Sequence, residues 1–151
     1  MTYLERITYL VGNFIQLSQY VLKNAYRVST LYQNSLRLDC YTKGDEMIVQ
    51  SEEMAKKLLK EQEGLSSKEL SLYFKDKGLS DKDYRDLTRI LLKRDYVVSS
   101  FFVENAYALS REEIAVYESK ISELEELSRD CSVLIGRLSK ESDRMYARFQ
   151  K

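Results

Sequence analysis

Along the first part of the chain the apolar residues Leu4, Ile7, Leu10, Val11, Phe14, Ile15, Leu17, Val21, Leu22 and Ala25 recur three and four apart. That spacing predicts an amphipathic helix with a broad apolar face from Tyr3 to Tyr26. Residues 27–43 mix Tyr32, Leu36, Leu38 and Tyr41 with Ser, Asn, Asp and Thr, so the helix either continues toward Leu38 or gives way to irregular chain before a break at Gly44. A second helix is expected from Asp45 to Gln62, with Met47, Ile48, Met54, Leu58 and Leu59 as its apolar members and Gly64 as its stop.

The pattern then shortens. Ser66 or Ser67 can cap a helix that buries Leu70, Leu72, Tyr73 and Phe74, with Glu69 completing a capping box on Ser66. Lys75 to Gly78 form a turn, and Ser80 caps a helix through Arg94 whose inner face holds Tyr84, Leu87, Ile90 and Leu91. From Tyr96 the period changes. Tyr96, Val97, Val98, Phe101, Phe102 and Val103, a turn at Glu104 and Asn105, and a return through Ala106 to Leu109 predict a short β-hairpin. After Ser110 a single stripe of Ile114, Tyr117, Ile121, Leu124, Leu127, Cys131, Leu134, Leu138, Met145 and Phe149 predicts a helix of about 40 residues, roughly 60 Å long.

Composition supports a mostly helical chain: five glycines and no proline leave few interruptions in 151 residues. The length suits one domain, divided into an N-terminal helical segment (1–43), a central module (44–109) and a long C-terminal helix (110–151). No apolar run is long enough for a bilayer span and no leader is visible, which places the protein in the cytoplasm without a membrane partner. Cys40 and Cys131 lie in no metal-ligand spacing and read as small apolar residues, with a redox switch as the alternative. Histidine is absent, as are a glycine-rich phosphate loop and a distinct carboxylate pair. The chain is therefore not expected to be an enzyme or to hold a metal or cofactor.

Residues 66–109 resemble the winged helix-turn-helix of the MarR family of bacterial transcription regulators. The passage from Leu79 and Ser80 through Tyr84, Leu87 and Leu91 to Asp95, Tyr96 and Val97 looks like that family's recognition helix and its exit into the wing. Tyr107 to Glu113 look like the return strand and the start of the long dimerisation helix. Asp95 stands where the family usually has glycine, the turn between the paired helices is longer than usual, and the wing is short and lacks arginine.

The resemblance implies a winged fold flanked by long dimerisation helices, and a cytoplasmic homodimer that binds double-stranded DNA and regulates transcription. The helix 80–94 would enter the major groove with Lys82, Arg85 and Arg89 nearest the bases, while Lys75, Lys77 and Lys93 meet phosphates. Both terminal helices would pack on a second copy through Leu4, Ile7, Val11, Phe14, Leu124, Leu127, Leu134 and Leu138. Tyrosines crowd the N-terminal segment, chiefly as packing residues, and a small-molecule effector pocket between the first helix and the winged module is implied only by analogy to the family.

Charge argues for an alternative. Residues 66–100 carry eight basic and six acidic side chains, and 101–130 carry three basic and eight acidic. DNA affinity rests largely on phosphate neutralisation, yet Asp81, Asp83 and Asp86 stand on the presumed reading helix. Asp86 would need to pair with Lys82, Arg85 or Arg89, or read a cytosine amino group. A helical protein–protein interaction module that keeps the winged scaffold without binding DNA is the competing expectation.

Overall fold

A computed structural model describes residues 1–36, 44–111 and 113–149. The described residues form six helices: α1 (Tyr3–Ser35), α2 (Gly44–Glu61), α3 (Ser67–Phe74), α4 (Asp81–Ser99), α5 (Phe101–Ser110) and α6 (Ile114–Phe149). There is no strand among the described residues.

The two long helices cover each other. Tyr3 stacks on Tyr117 with ring centroids 5.4 Å apart, Arg6 pairs with Glu125 at 3.0 Å, and Arg27 donates to the Tyr146 hydroxyl at 3.0 Å. Residue numbers rise together along both helices, so α1 and α6 run parallel. Ile7, Val11 and Phe14 of α1 meet the stripe Leu124, Leu127, Leu134 and Leu138 of α6 in one core, every one of them buried. Burying a side chain of this size stabilises the fold by about 1.5–3 kcal/mol. The eight residues expected to face a second copy are therefore occupied within the chain, except Leu4, which is exposed.

A parallel pair forces the intervening chain to travel back. The α2 helix does so along α1, tied by Asn34 to the Ser51 hydroxyl at 2.8 Å and by Tyr26 to Gln62. Glu52 of α2 also joins Arg27 and Tyr146, at 2.7 and 3.0 Å, so one polar cluster fastens α1, α2 and α6. The α4 helix makes the second return, antiparallel to α6, with Asp83 opposite Arg137 and Arg89 opposite Asp130.

The expected β-hairpin wing does not form, which removes the winged-helix fold and the MarR-like architecture built on it. Where the wing was expected, α4 continues to Ser99 and α5 follows after one residue. Val97 and Phe101 explain why: Val97 continues the inward period of Ile90 and Arg94 on α4, Phe101 opens α5 four residues on, and both are buried. The positions read as a hairpin turn bear no glycine, and Asn105 instead bonds back to the Phe101 carbonyl at 2.7 Å, a helical contact. β-Propensity is a weak preference that burial on a helical face overrides. Asp95 accepts the Ser67 backbone N–H at 3.1 Å, so it serves the start of α3 instead of a strand exit.

Ser66 and Ser80 cap the central helices as expected, but Glu69 does not complete a capping box, since its carboxylate meets the Ser66 hydroxyl at 3.2 Å and not the Ser66 backbone N–H. The Ser66 and Ser80 hydroxyls accept from the Glu69 and Asp83 backbone N–H groups, at 3.2 and 3.1 Å. Between α3 and α4 the connection 75–80 turns through two left-handed residues, Asp76 (φ 57) and Gly78 (φ 93). A Cβ on Gly78 would lie 2.5 Å from the Tyr32 Cβ, so this turn needs glycine for both backbone angle and space.

Candidate interaction surfaces

The two flanks of α4 define the first surface. Asp83 is 8% exposed and accepts from Arg137 Nε at 2.8 Å, while Arg137 Nη2 donates to the Asp86 carboxylate. Hydrogen bonding to Asp86, ahead of the contribution from Asp83, raises the Arg137 pKa above its already high ordinary value, so the guanidinium stays charged. Both carboxylates thus point toward α6. The partner of Asp86 is Arg137, not Lys82, Arg85 or Arg89.

The outward flank is the reverse in charge. Lys82, Arg85, Arg89 and Lys93, spaced by three, four and four, share one face and are all exposed. Arg89 is held at 3.1 Å from Asp130, which leaves Lys82, Arg85 and Lys93 as the outward basic row. Lys75 is exposed in the preceding turn, and the Lys77 ammonium lies 5.6 Å from the Tyr73 ring centroid, half-buried. The structure therefore groups the six expected DNA-contacting residues on the α3–α4 side, with Arg89 engaged in an ion pair. Arg137 and Asp130 were not expected. Neither has a local sequence signal, because each acts on a helix more than 40 positions away.

A second surface is apolar. At the corner between α4 and α5, Val98 is 64% exposed, Phe102 40% and Val103 78%. Leu72 of α3 and Leu92 of α4 are exposed as well. This corner contains the residues that were read as a wing; Phe102 packs edge-on against Phe101 at 5.3 Å, and Val98 and Val103 remain mostly exposed.

Between α1 and α4 lies an open cleft of about 560 Å³, lined by Leu22, Tyr26, Gln62, Leu70, Arg94 and Val98 among others. It falls where an effector pocket was anticipated, and its lining is mixed, with Arg94 and Tyr26 beside Gln62, Glu63, Glu69 and Asp95. Burial raises the Tyr26 pKa far above the ordinary tyrosine value, so its hydroxyl stays protonated. The other sulfur and metal readings are simple. Burial pushes the Cys131 thiol up to about 12, which keeps it neutral and unreactive at physiological pH. Cys40 lies outside the described residues. No cluster of metal-ligating side chains occurs among the described residues, and no described helix is long and apolar enough to cross a membrane. No family model, curated protein or solved structure matches the chain.

Proposed function

We propose that the protein is a DNA-binding regulator that docks duplex DNA on the outward face of α4 and on the turn before it. The observation that carries this reading is the withdrawal of Asp83 and Asp86 onto Arg137, which removes two carboxylates from the side where phosphates would lie. What faces outward on α4 is Lys82, Arg85 and Lys93 with a single exposed acid, Asp81, at its first turn, and the turn before it adds Lys75 and Lys77 against Asp76. A single helix fits the major groove, and a row of cations along it neutralises phosphates on the groove walls. The absence of a wing limits the contact to helix and turn.

Five such contacts imply a logarithmic salt slope of about −4 to −5, a loss of several hundredfold in affinity between 50 and 200 mM salt. Fluorescence anisotropy with a labelled duplex measures it directly. No salt-sensitive complex at micromolar protein would defeat the reading.

A second reading, in which the chain docks another protein, is favoured by the apolar corner at Val98, Phe102 and Val103. Exposed apolar side chains grouped together are a mark of protein interfaces. Its test is a purified partner that binds the native chain and not the Val103→Asp variant, at an affinity insensitive to added duplex.

A further inference from the structure

The outer face of α1, away from α6, carries an arrangement that neither surface above uses. From Ile7 to Leu22 the chain has no charged residue, in a protein where charged residues make up 32%. Along the exposed side of that stretch runs the row Glu5, Tyr9, Gly12, Gln16, Gln19 and Lys23, spaced four, three, four, three and four. Five of these are exposed and Lys23 is half-exposed; Tyr9 alone keeps 58% of its surface. This alternation of three and four places all six on one stripe of the helix.

The row is also symmetric in position about residue 14. Reversed, it falls on itself: Glu5 opposite Lys23, Tyr9 opposite Gln19, Gly12 opposite Gln16. An acidic residue closes one end and a basic residue the other. A two-fold axis through the middle of the row would pair Glu5 with Lys23 of a second copy twice, whereas a parallel arrangement would set like charges together. Gly12 sits near the centre, with nothing within 4 Å of where its Cβ would be. Glycine inside a helix costs about 1 kcal/mol relative to alanine, and no neighbour within the chain requires it there. Close approach of another helix backbone would make use of it.

We infer that the outer face of α1 binds the same face of a second copy, antiparallel, to form a two-fold symmetric homodimer. The row spans about 27 Å of helix, with Gly12 and Gln16 at its centre, tyrosines beside them and the two ion pairs at its ends. Isologous contacts of this kind close on themselves and leave the α6-facing core of each protomer untouched. The inference does not rest on DNA binding, and its test contains no DNA.

Sedimentation equilibrium of the full chain at tens of micromolar should return twice the chain mass. Lys23→Glu places two acids at each end of the seam and should weaken the dimer by about tenfold or more. Adding Glu5→Lys restores opposite charges and should recover the native dissociation constant. Glu5→Lys gives up one half of the α1 capping box, the bond from the Thr2 backbone N–H to the Glu5 carboxylate at 2.9 Å, but the Thr2 hydroxyl still accepts the residue 5 backbone N–H; urea unfolding of each variant separates that local loss from loss of the dimer. A native chain that stays monomeric overturns the inference, as does a Lys23→Glu variant that dimerises as the native chain does. A double variant no better than the single one overturns the antiparallel pairing and with it the proposal.

Discussion

The inner and outer flanks of α4 are made from similar proportions of charge, yet they have different physical tasks. On the inner side Leu87, Ile90 and Leu91 are buried and the two aspartates are bound by Arg137, so each side chain is tied to the stability of the fold. On the outer side Asp81, Lys82, Arg85, Arg89, Leu92 and Lys93 are exposed. Charge summed over the helix hides this division. A mixed-sign helix can present mainly one sign to a ligand when most of the opposite sign is spent on a neighbouring helix, as here with Asp83 and Asp86 but not Asp81.

Substitutions at the inner flank should therefore unfold the protein, and those at the outer flank should not. The largest effect is expected at Leu87, which is fully buried: Leu87→Ala should lower stability by about 2–5 kcal/mol in urea unfolding. A value under 1 kcal/mol would mean that α4 is not packed as described. At the turn leading into α4, Gly78→Ala should cost about 1–3 kcal/mol through its positive φ, with the contact against Tyr32 adding to it. By contrast, Gly64→Ala, also at positive φ but with open space around it, should cost less.

Arg137→Ala leaves Asp83 buried without its cation and should cost about 1–2 kcal/mol, toward the lower end for charged hydrogen bonds because Arg137 is 30% exposed. Restoring much of this loss with Asp83→Asn in the same chain would identify the unpaired carboxylate as its source. The pH dependence should be gentler. Cys131 and Tyr146 have raised folded-state pKa values, chiefly through burial, as does Tyr26. The unfolded chain loses these protons first, so stability is full below about pH 9 and declines as pH rises through the alkaline range. An unfolding midpoint that climbs between pH 8 and pH 10.5 would contradict that burial. Smallest of all, Leu92→Ala on the outer flank should change stability by less than about 0.5 kcal/mol.

Much of the helical frame was legible in the sequence because caps and apolar periods are local. Ser66, Ser80, Gly64 and Gly78 mark helix ends where backbone groups need a hydroxyl or the chain needs a positive φ. The stripes of α1 and α6 were equally plain, but not which surface each meets. Two apolar stripes fit each other as well as they fit a second copy, and the choice depends on the path of α2 to α5. The stretch from Tyr96 to Ser110 was misread because its β-branched and aromatic residues favour strand locally, while Val97 and Phe101 gain burial only if the helical period continues. The basic residues of the candidate site were visible, and their separation from Asp83 and Asp86 was not. That separation depends on Arg137, placed opposite them by the antiparallel packing of α4 on α6.

The most direct test of this division is to measure duplex affinity and urea stability side by side for the triple variant Lys82→Ala, Arg85→Ala and Lys93→Ala. Three fewer phosphate contacts should reduce the salt slope by about 2.7, weaken binding at low salt and leave the unfolding midpoint close to native. Native affinity in that variant, or a collapse of its stability, would contradict the assignment of the outer flank of α4 to binding.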